Sequence, residues 1–255
     1  MCRLFGLIAN KEVDVKFSMF EAENNFKSKA KGNPDGWGVG WYENAEAKVE
    51  KYPESAFLSS KFDEVVKELK SKIIVAHVRL ASNGRPAVKE NSHPFVYKNW
   101  IFAHNGTINK QRIKELLNAP YNLNFTSEPI DSEVYFRYIL QCVEEESDFF
   151  KGLKKALLEV TKDDDGANFV MSDGKKLYAF CWKYSLWYLE RNPQLPFHAK
   201  SKQTLALIES KRLAKEKAVL VASEKVTTDE NWLQLQDGEF LKVNESLEVT
   251  RINLI

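Results

Sequence analysis

Residues 1–8 read Met-Cys-Arg-Leu-Phe-Gly-Leu-Ile. The apolar run over residues 3–8 predicts a buried strand that begins almost at the first residue. Cys2 lies directly before it. Because this second residue is small, we expect removal of Met1, which would leave a thiol and a free α-amine on one residue. An α-amine has a pKa of about 7.7–8.0 and could accept the thiol proton, directly or through a water. Cys2 is therefore a candidate nucleophile, and the alternative is a small buried apolar residue.

The composition is that of a globular protein, and we expect one domain over residues 1–255. The chain is 44% hydrophobic and 29% charged, with a net charge of +1. The charges are interspersed, so nothing indicates a nucleic-acid partner. No run approaches the roughly 18 apolar residues of a membrane span, and the first residues lack a secretory apolar region. Three cysteines without CxxC spacing predict no disulfide framework. We expect a cytoplasmic protein that does not bind membranes.

Hydrophobic spacing predicts a group of strands, two helices, and a second group of strands. Apolar residues recur at helical spacing over residues 135–142 and 150–160, and Ser60–Asp63 is a capping box that would begin an earlier helix. The chain is strand-rich from Ala167 onward. This order fits an α+β protein in which two sheets enclose helices or helices cover two packed sheets.

The motif His104-Asn105-Gly106 follows a predicted strand, and Asn-Gly is a turn signal. The Asn105 side-chain amide and the Gly106 backbone N–H could converge on one oxygen and form an oxyanion hole. A single donor of this kind typically stabilises the transition state by about 3–4 kcal/mol. The alternative is a plain hairpin turn.

Two charged residues are candidate substrate contacts. Arg79 ends an apolar strand, where an unpaired guanidinium would be costly, and it suits bidentate capture of a carboxylate. An internal salt bridge is the alternative. Asp131 precedes a predicted helix and could receive an ammonium group, or it could be the helix N-cap.

The histidines raise the possibility of a metal site. His77, His93 and His104, with Cys2, are potential ligands, but their spacing matches no HxH, HxxxH or HExxH pattern. We therefore predict no metal and no cofactor, and expect these histidines to belong to a buried hydrogen-bond network.

Taken together, these residues resemble the class II glutamine amidotransferases of the N-terminal nucleophile hydrolase superfamily. The resemblance implies a four-layer αββα sandwich with two mostly antiparallel sheets between helical layers. It rests on six segments in the family's order: Met1-Cys2, Asn33-Pro34-Asp35-Gly36-Trp37-Gly38, His77-Val78-Arg79, Asn91-Ser92-His93-Pro94-Phe95, His104-Asn105-Gly106 and Asp131-Ser132-Glu133.

The resemblance also implies roles for these residues. Cys2 would be the nucleophile with its α-amine as base, and Asn105 and Gly106 would form the oxyanion hole. Arg79 would hold the α-carboxylate of glutamine and Asp131 its α-ammonium. Three further positions, Ser82, Gly36 and His104, would contribute to substrate binding, Ser82 through its hydroxyl and Gly36 by letting the backbone approach. The implied reaction releases ammonia through a γ-glutamyl thioester, which water then hydrolyses.

Two departures from the family pattern leave the substrate open. Arg3 stands where many members have Gly, and Asn83 stands where fused members have His. The alternative substrate is another γ-glutamyl compound or peptide. The alternative to an enzyme is an inactive relative that only binds a ligand. A glutaminase subunit that delivers ammonia to a separate partner protein is a further alternative.

Overall fold

The computed structural model of the chain describes residues 1–81, 87–125, 128–163, 165–191, 199–200, 207–208 and 217–255. Its strands are β1 (Arg3–Val13), β2 (Gly36–Glu43), β3 (Glu46–Tyr52), β4 (Ser71–Arg79), β5 (Phe95–Tyr97), β6 (Trp100–Gly106), β7 (Ala167–Ser172), β8 (Leu177–Phe180), β9 (Trp187–Arg191), β10 (Ala199–Lys200), β11 (Leu207–Ile208), β12 (Ala218–Ala222), β13 (Leu233–Gln234), β14 (Glu239–Val243) and β15 (Val249–Asn253). Its helices are α1 (Phe26–Lys29), α2 (Ser60–Glu68), α3 (Lys110–Glu115), α4 (Asp131–Glu145) and α5 (Phe149–Val160), with single helical turns at Phe17–Glu21, Ala30–Gly32 and Lys89–Asn91.

Two antiparallel sheets make up the centre of the protein. The first has seven strands in the order β13-β9-β12-β1-β4-β2-β3, and the second has six in the order β15-β14-β8-β7-β6-β5. The first strand of the chain, β1, pairs with both β12 and β4, so residues near the two ends of the sequence meet at the middle of one sheet. This non-local pairing explains why β1 is buried along most of its length.

Strand alternation divides the apolar residues into three layers of core. Leu4 and Ile8 of β1 pack between the two sheets, against residues such as Val170. Phe5 and Leu7 point to the other face, where they pack under α1 and α2. A third layer lies between the six-stranded sheet and helices α3, α4 and α5. The result is a four-layer αββα sandwich, as the family resemblance implied.

Most predicted elements are present, but two details were wrong. Asn105 and Gly106 do not form a turn: they are the last residues of β6 and pair with β7. The N-cap of α2 is Ser59, whose hydroxyl accepts a hydrogen bond from the Phe62 amide at 3.1 Å, so the helix is capped one residue earlier than predicted and Phe62 at N3 cannot complete a capping box.

No helix among the described residues has the length and apolar character that crossing a membrane requires. The three cysteines are free thiols, and Cys142 and Cys181 are buried.

Candidate active site

Cys2 lies immediately before β1 and next to the end of β4. The Leu80 amide donates a hydrogen bond to Cys2 Sγ at 3.3 Å, and the thiol lies 3.5 Å from the Leu80 carbonyl. Cys2 is partly buried, whereas Met1 is 59% exposed. Burial raises the pKa of the Cys2 thiol, and the Leu80 backbone and the positive charges of the N-terminus, Arg79 and Arg3 act in the opposite direction. These cations favour the thiolate, which is the attacking form.

Arg79 and the loop before β2 are held together beside this thiol. Arg79 is buried and pairs with Gly36 across the β2–β4 ladder. The Asp35 amide donates to the Arg79 carbonyl at 3.1 Å, and the Ala81 amide donates to Asp35 Oδ2 at 2.8 Å. Gly36 has a φ of 155°, and a Cβ there would come within 2.7 Å of the Ser92 hydroxyl. The loop therefore requires glycine at this position.

Alternation along β4 and β6 directs Arg79 and Asn105 to the space between the sheets, and Cys2 lies one residue before β1, beside the end of β4. Cys2 is two positions before Leu4, whose side chain packs in the inter-sheet core. Arg79 is four positions after Val75 and Asn105 is two positions after Ala103, and both Val75 and Ala103 belong to that core layer. Residues an even number of positions apart in a strand lie on the same face of the sheet. The predicted nucleophile and carboxylate-binding arginine of the first sheet thus lie opposite the predicted oxyanion asparagine of the second, at one end of the strands.

Asn105 and Gly106 form the end of β6. The Asn105 side chain is buried and, among the described residues, makes no hydrogen bond with another protein group, so its amide is available to a ligand. Gly106 has a φ of 155°, and a Cβ there would overlap the Gly166 carbonyl. Only glycine lets the strand approach this carbonyl, which accepts a hydrogen bond from the Thr107 amide at 2.9 Å.

Asp131 begins α4 and faces the end of β6. It is not the N-cap, because Ile130 occupies that position and offers no capping side chain. Asp131 Oδ2 accepts a hydrogen bond from the Ile108 amide at 3.2 Å, which ties the helix to the chain leaving β6. The first turn of a helix favours a carboxylate electrostatically. The charge of Asp131 also raises the pKa of His104, against a larger lowering by burial.

The His104 ring lies on the opposite face of β6 from the Asn105 side chain. Its Nδ1 lies 2.9 Å from the Ser132 hydroxyl, and the ring packs edge-on against Tyr135 of α4. The structure therefore brings His104 to the site through its backbone and does not bring its ring together with Cys2. Ser82 lies outside the described residues.

Two other histidines, which the sequence analysis considered only as metal ligands, support the site from between the sheets. His77 is fully buried and its Nε2 lies 3.1 Å from the His104 carbonyl, so this nitrogen carries the proton and donates. Burial lowers the pKa of His77 to about 3, so the ring is neutral at physiological pH. The His93 ring packs on it with centroids 4.2 Å apart. Within the described ranges, no cluster of three His, Cys, Asp or Glu could hold a metal ion.

The family model described as glutamine amidotransferases class-II matches residues 1–252. The chain belongs to the class II glutamine amidotransferases. This confirms the resemblance carried by the six motifs, and it makes the protein an enzyme of this class.

Relatives and solved structures agree with this assignment. This amidotransferase is 31% identical to an uncharacterized protein of Methanocaldococcus jannaschii over 94% of its own length and 68% of that protein. It is 24% identical to the gamma-glutamyl-hercynylcysteine sulfoxide hydrolase of Mycobacterium tuberculosis, over 84% of this chain and 76% of the hydrolase. The glutamine phosphoribosylpyrophosphate amidotransferase of B. subtilis superposes with a TM-score of 0.68 at 16% identity, over all of this chain and 49% of that one, which confirms the fold.

Proposed function

We propose that this amidotransferase hydrolyses a γ-glutamyl amide through a thioester on Cys2, after Met1 has been removed. The observation that carries the proposal is the shared inter-sheet direction of Cys2, Arg79 and Asn105, with Asp131 tied to the end of β6. A carboxylate on Arg79 and an ammonium on Asp131 would orient the α-end of a glutamyl group. Its side-chain carbonyl would then reach the thiol and the oxyanion donors.

The reaction balances in two halves. The α-amine of Cys2 takes the thiol proton, and Sγ bonds to the γ-carbonyl carbon, whose oxygen becomes an anion held by Asn105 and Gly106. The C–N bond then breaks, and the leaving nitrogen takes the proton from the α-ammonium. In the second half, water attacks the thioester and gives its proton to the same amine. Glutamate leaves, and the thiol is restored.

Glutamine is one candidate substrate, with ammonia as the leaving group and a separate protein as its possible acceptor. A larger γ-glutamyl compound is the other, and it is supported by the relative named as a γ-glutamyl hydrolase. In both candidates the glutamyl group would bind to the same residues, Arg79 and Asp131. Rates of glutamate release from glutamine and from γ-glutamyl dipeptides, measured side by side, separate them.

The mechanism is tested by intact mass before and after treatment with a diazoketone analogue of glutamine. We expect loss of Met1 and one stoichiometric adduct that glutamate suppresses, because the analogue places its electrophilic carbon at the thiol. Cys2→Ala should give no adduct and no turnover while its thermal unfolding stays unchanged. Cys142→Ala is the matched control, since that thiol is buried in α4 and should be irrelevant to both readouts.

Two results would count against the proposal. One is a protein that retains Met1 and still turns over substrate, because its α-amine could not be the base. The other is a Cys2→Ala variant with wild-type activity.

A further inference from the structure

The Arg3 side chain starts on the face of β1 opposite to Cys2, but it bends so that its guanidinium lies at the end of the strand. This face is the one from which Phe5 and Leu7 pack under the outer helices. Nη1 nevertheless donates to the Met1 carbonyl at 2.6 Å and lies 3.1 Å from the Cys2 carbonyl. Arg3 thus places a cation beside the peptide bond that must be cut to mature the enzyme.

Two neighbours hold this guanidinium in position. Glu224 lies 2.5 Å from Arg3 Nε through one oxygen and 2.5 Å from Lys29 Nζ through the other. Burial would raise the pKa of Glu224, but the hydrogen bonds and charges of Lys29 and Arg3 outweigh it and lower that pKa. The cluster carries two positive charges and one negative charge, so a single anion would neutralise it. The Arg3 and Lys29 side chains are each 24% exposed, which leaves both within reach of a ligand.

The chemistry of proton transfer shows what could bind there. The α-amine of Cys2 must give its proton to the leaving nitrogen, so that nitrogen has to come within hydrogen-bond distance of the amine. In the immature chain the carbonyl carbon of Met1 is bonded to the same amine. The leaving group therefore enters the space that Met1 vacates, where Arg3 Nη1 loses an oxygen acceptor when Met1 departs.

We propose that Arg3, held by Glu224 and backed by Lys29, binds a carboxylate on the leaving group, so that the substrates are γ-glutamyl amino acids or peptides. Ammonia, the leaving group of glutamine, has no carboxylate and gains nothing from this cation. The inference rests on the proposed function and names the substrate class for it.

The test measures ligand binding in a Cys2→Ala background, where turnover is absent and the small second residue still permits removal of Met1. The Kd values of γ-glutamylglycine and γ-glutamylglycinamide are measured by calorimetry; the two ligands differ in the leaving-group carboxylate. Adding Arg3→Ala should weaken binding of the acid at least tenfold more than binding of the amide. Lys29→Ala should act in the same direction with a smaller effect. Lys27→Ala is the matched control, because this lysine of the same helix lies 2.5 Å from Asp63 and away from Glu224, and it should leave the ratio unchanged.

If Arg3→Ala weakens the binding of the acid and of the amide by the same factor, the inference is overturned, since a purely structural role for Arg3 affects both ligands alike. The inference is also overturned if the Cys2→Ala protein with Arg3 intact binds neither the acid nor the amide. Failure of the proposed function is distinguishable: the chain with Cys2 present would then hydrolyse none of the γ-glutamyl compounds, while the acid-to-amide contrast would still decide the role of Arg3.

Discussion

Asn105 and Asn168 face each other across the β6–β7 ladder, and replacing each by alanine should affect two different properties. Asn168 is fully buried: its Nδ2 donates to the Tyr184 carbonyl at 2.8 Å, and its Oδ1 accepts from the Trp182 amide at 2.7 Å. Asn105 offers its amide to the space between the sheets. Asn168 is therefore structural, and Asn105 is the proposed oxyanion donor.

The expected magnitudes differ accordingly. Asn168→Ala leaves a buried donor and a buried acceptor unpaired at about 1–3 kcal/mol each, so the free energy of unfolding should fall by roughly 2–6 kcal/mol. At about 2–4 °C per kcal/mol for a chain of this size, Tm should fall by roughly 4–24 °C. Asn105→Ala should lower kcat by about 10²–10³-fold, corresponding to about 3–4 kcal/mol of lost transition-state stabilisation, with little change in Tm.

The assay combines glutamate release under saturating substrate with thermal unfolding followed by circular dichroism. At temperatures where it is folded, the Asn168 variant should keep most of its kcat. An Asn105 variant that keeps wild-type kcat would refute the oxyanion assignment. Loss of activity in parallel with loss of Tm would refute it too, because the effect would then be one of folding.

Three further predictions follow from buried groups. The pKa of His77 is lowered from its ordinary 6.5 to about 3, so its contribution to stability is complete above pH ~6.5 and is lost as the pH falls toward 3. The free energy of unfolding, measured with urea, should fall between pH 7 and pH 5 by about 2 kcal/mol less in His77→Gln than in the wild type. The glutamine amide does not titrate and can still donate a hydrogen bond to the strand opposite. Gly106→Ala should lower both Tm and kcat, because a Cβ there would overlap the Gly166 carbonyl; wild-type values of both would contradict the strand geometry. Glu230→Gln should lower the free energy of unfolding by about 1–3 kcal/mol, because it removes the charge that pairs with Arg191 at 2.7 Å in a largely buried setting, and an unchanged denaturation midpoint would refute this.

Much of the fold could be predicted because its determinants are local. The apolar run over residues 3–8 and the helical spacing over residues 135–142 each predicted an element that the structure contains. Asn105-Gly106 was misassigned because Asn-Gly favours turns locally, whereas pairing with Asn168 and Ala167 of β7 keeps both residues in the ladder. The partner strand lies some 60 residues away and gives no local signal.

By itself, the sequence determined the candidate site residues and the strand ends at which they lie, because residue type and apolar runs are local properties of the chain. Cys2, Arg79 and Asn105 were chosen from their types and their places at strand ends. Only the tertiary structure decided that these ends meet, since β1 and β4 lie in one sheet and β6 in the other. It also decided that the His104 ring turns away from Cys2, that His77 bonds the strand opposite, and that Arg3 reaches back to Met1. These contacts depend on how two sheets stack and where a side chain bends at the end of a strand, and no short stretch of sequence encodes either.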